Sequence, residues 1–186
     1  MTQTVKINLG SGHWKFEDWV NVDLNMESQP EVCANLASVL PFRTGIADLM
    51  HSEDFIDQLE LENARLFLNE CHRILKPGGV IRILTPDLER LAQLYLHDHD
   101  QLKHLWNEHV GVELQTGTVG EIFNTGMRFA GHTFLYDAET FTLLASDCGF
   151  DARRVDFQKS EIPELCGLDL RSPETAVSMY FDCYKS

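Results

Sequence analysis

Over the first 150 residues short β-rich runs alternate with stretches of helical periodicity, and few architectures can accommodate that pattern. It restricts the chain to parallel strands joined by crossovers, an α/β fold of the Rossmann-like, doubly wound kind. Val5 to Leu9, Trp19 to Leu24, Glu31 to Leu36 and Ile46 to Met50 read as the first four strands. Residues 61 to 76 then place Ala64, Phe67, Leu68, Cys71, Ile74 and Leu75 on one helical face, and Lys76-Pro77-Gly78-Gly79 ends that helix. Val80 to Leu84 reads as a buried strand, and Asp87 as the N-cap of one long helix with the stripe Leu88, Leu91, Ala92, Tyr95, Leu102, Leu105 and Trp106. Asp137 caps a further helix with Phe141, Leu144, Ala145 and Cys148 on one face. After it, Val155 to Gln158 and Val177 to Cys183 have no helical periodicity between them, which calls for an antiparallel pair closing the sheet.

At 186 residues, 44% of them apolar, the chain suits one domain, 1 to 186. Residues 110 to 136 hold five glycines and no clear period, and are expected to form an irregular loop acting as a lid or acceptor-binding insertion. Twenty-nine acidic residues against 15 basic ones give a net charge of −14, which disfavours nucleic acid as a partner. The five cysteines have no Cys-x-x-Cys spacing and read as buried thiols in a reducing compartment. No basic stretch followed by an apolar run opens the chain and no run of 18 apolar residues occurs, so no export or membrane spanning is expected and the cytoplasm is the default. The histidines between 97 and 109 read as a solvated helical face, with His97 and His104 on the polar side and His99 on the apolar stripe, and no metal site is expected.

In an open parallel sheet a ligand sits beyond the carboxyl ends of the strands, at the first strand's loop. Here that loop is Leu9-Gly10-Ser11-Gly12, where glycine permits a tight turn and close approach of a ligand, and Asp23 at the end of the second strand is placed for the hydroxyls of a ribose. The full Gly-x-Gly-x-x-Gly fingerprint is absent, since Lys15 holds the third position, and Asp23 follows Gly12 by only 11 residues. The first crossover helix is therefore expected to be short or missing, with Trp14, Phe16 and Trp19 either walling a pocket or packing in its place. His132, at the end of the glycine-rich stretch and beside Tyr136-Asp137, is suited to removing a proton from an acceptor; the competing reading is a structural histidine bonded to backbone.

The segments Ile7 to Gly12, Trp19 to Leu24, Leu40-Pro41-Phe42, His72 to Gly79, Thr85 to Glu89, Gly131 to Asp137 and Cys148 to Phe150 resemble, in this order, class I S-adenosylmethionine (AdoMet) methyltransferases, and within them a compact bacterial group of the type 11 kind. That resemblance implies a seven-stranded sheet with an antiparallel last strand and AdoMet as cofactor. It implies cofactor contacts from Leu9, Gly10, Ser11 and Gly12, from Asp23 and Leu24 at the ribose, and from Asn35, Leu36 and Ser52. Four positions depart from the family pattern: Asn8 and Asn35 stand where acidic residues are usual, and Asp57-Gln58 replaces a Glu-His pair before Leu59. The expected reaction is methyl transfer to a small molecule or glycan, most simply at oxygen, with His132 as base. Two further classes stay open from sequence, a methyltransferase-like binding subunit that has lost turnover and a Rossmann-like enzyme of another nucleotide. No oligomeric state follows from the sequence.

Overall fold

The computed structural model describes residues 4–186; Met1 to Gln3, part of the amino terminus considered above, lie outside the described residues. Seven strands form one sheet: β1 Lys6–Leu9, β2 Val20–Asp23, β3 Val32–Cys33, β4 Ala47–Glu53, β5 Leu75–Pro86, β6 Phe150–Val155 and β7 Ser178–Lys185. Their order is β3-β2-β1-β4-β5-β7-β6. Pairings from β3 through β5 are parallel, and β7 lies antiparallel to both β5 and β6. This is the mostly parallel seven-stranded sheet with an antiparallel last strand that the family resemblance implied.

Helix α1, Leu61–Ile74, buries Ala64, Phe67, Leu68, Cys71 and Ile74 of the stripe read from its periodicity, whereas Leu75, read on the same stripe, opens β5. Helix α5, Ala138–Asp147, is capped by Asp137 and buries Phe141, Leu144 and Ala145. These two helices share a core with the inward side chains of β1, β4 and β5, among them Ile7, Leu9, Met50, Ile81 and Ile83. The first crossover holds no helix, as expected from the 11 residues between Gly12 and Asp23. The opposite face of the sheet is covered instead by Phe16 and Trp19, which pack with Leu49, Val80, Tyr184 and the segment Ile162 to Leu168. Trp19 is buried there, whereas Trp14 stays 67% exposed.

A row of polar side chains crosses this second face in register. Asn21 of β2 pairs with Asn8 of β1, Asn8 with His51 of β4, His51 with Arg82 of β5, and Arg82 with Asp182 of β7. All five are buried. Burial of such groups requires partners, and most are supplied: Asn8 Nδ2 donates to Asn21 Oδ1 and to Trp14 O, and Arg82 is gripped by Asp169 and Asp182. Asn8 thus acts as donor and acceptor at once, which a carboxylate could not do.

Several sequence expectations are corrected. The long helix after Asp87 is broken: α2 runs Leu88–His97, and Asp98 leaves helical geometry to cap α3, His99–Leu105, followed by a wider turn at Trp106–Val110. Because of that break His99 is exposed and bonded to Tyr95 O rather than lying on an apolar stripe. Within 110 to 136, expected to be irregular, α4 forms at Val119–Gly126. β6 begins at Phe150, directly after Gly149 ends α5 with a φ of +88°, and not at Val155. Cys33, on an edge strand, and Cys166 are exposed, while Cys71, Cys148 and Cys183 are buried thiols.

Candidate functional site

Two cavities open at the carboxyl ends of the parallel strands, where an open α/β sheet places its ligands. The first, of about 340 Å³, is lined by Asn8, the Gly10-Ser11-Gly12 loop, Trp14, Phe16, His51, Glu53, Asp54, Leu170 and Arg171. The second, of about 390 Å³, lies under α2, α3 and α4; its wall is largely apolar, with Leu91, Leu102, Trp106, Ile122, Phe129 and Leu135, and it includes His132. Asp54 and Arg171 belong to both walls.

The glycine loop turns with positive φ at Gly10 and Gly12, +71° and +49°. A Cβ at Gly10 would stand 3.2 Å from Phe55, so the turn and the packing both favour glycine there, while the space beside Gly12 is open. The loop is held by its own backbone: Gly10 and Ser11 N–H donate to Val22 O, and Gly12 N–H donates to Asp23 Oδ2 at 2.7 Å. Asp23 Oδ1 accepts from Asn25 N–H. Asp23 therefore fixes the loop as well as standing at the end of β2.

The remaining expected cofactor residues occupy different settings. Leu9 and Leu36 are in the core, and Leu24 is 63% exposed beside Asp23. Asn35 turns its Oδ1 to the N–H of Ala37. Ser52 is buried next to Leu9 in register, and neither its Oγ nor that of buried Ser11 has a protein partner among the described residues. Polar atoms left unsatisfied around a glycine loop with open space at Gly12 fit a polar ligand such as AdoMet.

His132 reaches the second cavity at the end of a tight turn in which Ala130 has a φ of +54° and Gly131 +87°. Its Nδ1 lies 3.0 Å from Gly126 O, so that nitrogen donates, and Nε2 faces Asp57 Oδ2 at 3.5 Å. Asp57 is fully buried; burial, then the charge of Asp54, push its carboxyl up to about 6 against the opposing pull of His132. Thr85 Oγ1 donates to Asp57 Oδ1, and Thr133 and Phe134 N–H donate to Asp57 O, tying this segment to the end of β4. Tyr136 is buried with an unpartnered hydroxyl, and Asp137 is used as a helix cap. Neither touches the His132 ring by a hydrogen bond among the described residues.

Glu53, Asp54 and Arg171 were not singled out in the sequence. Glu53 Oε1 accepts from Leu170 and Arg171 N–H, and Arg171 Nε donates to Asp54 Oδ2 at 2.7 Å. Asp54 itself holds a φ of +51°, a conformation that aspartate tolerates better than most residues and that concentrates at functional sites. The available signal was three consecutive polar residues, Ser52-Glu53-Asp54, closing a strand at its carboxyl end.

The methyltransferase domain family model matches residues 17–83, the stretch from the first crossover to β5. A SAM-dependent methyltransferase from Archaeoglobus fulgidus is similar in fold, with a TM-score of 0.60 over 98% of this chain and 86% of that one at 15% identity. A SAM-dependent methyltransferase from Methanosarcina mazei has a TM-score of 0.58 at 13% identity, covering 100% of this chain and 94% of that one. The putative methyltransferase of Haloferax volcanii, solved in complex with the Trm112 methyltransferase activator, gives 0.58 at 15% identity over 98% and 82%. No protein of curated function matches the sequence. The chain thus has the α/β fold seen in SAM-dependent methyltransferases, and its residues 17–83 match the methyltransferase domain family. No helix among the described residues is long and apolar enough to cross a membrane.

Proposed function

We propose that the protein transfers the AdoMet methyl group to a small, largely apolar acceptor, at oxygen. The observation that carries this reading is that the two cavities share Asp54 and Arg171 in their walls, one cavity at the glycine loop and the other apolar. A cavity of about 390 Å³ with six large apolar side chains in its wall favours a compact ring-containing or aliphatic molecule over a glycan. Asp23 and Leu24 would hold the nucleoside, with Asn35 and Leu36 at the base. Leu9, Gly10, Ser11, Gly12 and Ser52 would surround the donor's other end. The bound cofactor supplies an electrophilic sulfonium methyl. The protein's part is to hold the acceptor in line with it and to exclude water, work suited to the 110 to 136 segment acting as a lid.

His132 serves as base through Nε2 in this reading. Its Nδ1–H is committed to Gly126 O, so Nε2 carries the lone pair, and Asp57 beside it offsets the charge when the acceptor proton arrives. With burial pushing Asp57 up to about 6, activity should fall below that pH, where a protonated Asp57 would bond the lone pair instead. The five unpaired cysteines suit a cytoplasmic setting.

The experiment has two arms. S-adenosylhomocysteine should raise the melting temperature and NAD should not, because a ligand of the folded state stabilises it by mass action. Labelled methyl should then pass from AdoMet to hydroxyl-bearing aromatic or aliphatic small molecules, and His132→Ala should lower that turnover by about 10²–10⁴-fold with the AdoMet affinity retained. An acceptor that proves to be a polysaccharide or a protein, or full turnover in His132→Ala, would overturn the acceptor or base assignment.

A further inference from the structure

Arg171 lies in the β6–β7 connection and is held from several sides. Its N–H donates to Glu53 Oε1, its carbonyl accepts from Tyr180 Oη, and its Nε donates to Asp54 Oδ2 at 2.7 Å. Backbone position and guanidinium plane are therefore set before a ligand arrives, while neither Nη has a hydrogen-bond partner among the described residues. The other arginines bonded to this end of the sheet are engaged: Arg90 gives both Nη to Pro173 O and Ala176 O, and Arg154 gives Nη2 to Asp87 Oδ2.

The wall of the second cavity includes this side chain and the carboxylates of Asp54 and Asp87. Both carboxylates already hold donors: Asp54 holds Arg171 Nε, and Asp87 holds Arg90 N–H and Arg154 Nη2. An apolar wall weakens the screening of a charge beside it, so a fixed guanidinium fork favours a planar carboxylate over a neutral group. One guanidinium serves two carboxylates elsewhere in this fold, since Arg82 holds Asp169 through Nε and Nη2 and Asp182 through Nη1. Asp54 on Nε leaves the second place open on Arg171. The first cavity suits an anion less, because Glu53 and Asp54 both stand in its wall. A net charge of −14 opposes an anion at a distance, so fixed short-range donors must hold it.

We propose that the acceptor is a hydroxy acid: the Nη pair of Arg171 takes its carboxylate, and its apolar body lies against Leu91, Trp106, Ile122 and Phe129. The inference rests on the second cavity being the acceptor site, and it narrows the acceptor to molecules with an anionic group. Asp54 is then a positioning residue, acting through Nε on the plane of the fork. The Arg171 side chain is 55% exposed, so the carboxylate stays at the mouth in partial contact with water. The expected gain is that of one charge-assisted pair in a half-exposed setting and not of a buried one.

Calorimetry on protein saturated with S-adenosylhomocysteine tests this without turnover. The ligands are para-hydroxybenzoate, para-hydroxyphenylacetate and para-hydroxyphenylpropionate, each beside its primary amide, so that reach varies while shape is kept within each pair. At least one acid should bind about tenfold more tightly than its amide, the scale of a charge-assisted hydrogen bond, and Arg171→Met should bring that ratio close to one. If no acid outbinds its amide, or if the preference survives in Arg171→Met, the inference is overturned while the apolar acceptor site stands. A fall in S-adenosylhomocysteine affinity by the same factor in Arg171→Met would place the arginine at the donor and overturn it too. Should protein that takes up S-adenosylhomocysteine bind none of these ligands, the acceptor reading of the second cavity fails together with the inference. The wild-type pairs decide the question even if Arg171→Met does not fold.

Discussion

Glu53 stands both in the wall of the first cavity and under the β6–β7 connection. Its carboxyl is largely buried under the β6–β7 connection, and burial pushes it up to about 7 from 4.5, with the backbone N–H groups of Leu170 and Arg171 opposing and the charges of Asp54 and Asp169 adding to the rise. A carboxyl whose proton is held more tightly in the folded state favours folding at low pH. The contribution is complete below about 4.5 and is lost as pH rises through about 7. Gln at this position keeps an acceptor for the connection but cannot ionise. The stability of Glu53→Gln relative to wild type should therefore increase between pH 4.5 and 7, by at most about 3 kcal/mol on the scale of 1.36 kcal/mol per pH unit. Urea unfolding at a series of pH values measures the difference, and a gap that stays constant with pH would remove the buried-acid account. Arg82 presents the opposite balance: it is fully buried, but Asp169 and Asp182 flank it, and the carbonyls of Asp156 and Lys159 take further N–H groups. The five-residue row containing it was visible in the sequence only as isolated polar residues amid apolar strands, because register across a sheet is set by tertiary pairing and not by local pattern.

At the scale of elements, legibility followed periodicity. Helix α1 matched its stripe because 14 residues give nearly four turns of one repeating face. The break between α2 and α3 escaped because Leu91, Leu102 and Trp106 all face one cluster on either side of it, so the apolar pattern runs on while the backbone does not. Its signal was chemical, an Asp98 whose side chain accepts from the N–H of Gln101. α4 carried a similar sign: Thr118 accepts from Glu121 N–H, and Glu121 reaches back to the N–H groups of Gln115, Thr116 and Gly117, a capping arrangement hidden among glycines. The glycine loop and Asp23 could be read as neighbours because strand, turn and strand are contiguous, whereas Arg171 lies 117 residues from Asp54. For α3 the cap has a measurable consequence. Asp98→Ala should destabilise the protein by about 0.5–2 kcal/mol and raise amide exchange first in α3, loosening Leu102 and Leu105 in the wall of the second cavity. Exchange that rises uniformly across the sheet instead would mean that α3 does not open as a local unit.

For the molecule as a whole, the relevant quantity is charge. A net charge of −14 on 186 residues surrounds the candidate site with a negative potential, and both carboxyl groups at the first cavity have the same sign. The donor and its product differ in this field. AdoMet carries a sulfonium cation in addition to its zwitterionic amino-acid end, and S-adenosylhomocysteine does not, so the protein's field attracts the former and is nearly indifferent to the latter. Short-range hydrogen bonds at the nucleoside are common to both and cancel in a ratio of affinities. The remaining difference is Coulombic, and its long-range part is screened as the Debye length shrinks from about 30 Å at 0.01 M salt to about 3 Å at 1 M. The ratio of AdoMet to S-adenosylhomocysteine affinity should accordingly fall several-fold, on the order of three- to tenfold, over that range, with the change arising in AdoMet binding alone. Calorimetry of the two ligands in sodium chloride buffers at constant pH 8, where Glu53 is largely ionised, gives the ratio directly. If both affinities weaken together, salt acts on the fold or on the nucleoside contacts. If neither changes, discrimination between donor and product resides in contacts short enough to escape screening, which would shift attention from the protein's field to the carboxyl groups of Glu53 and Asp54.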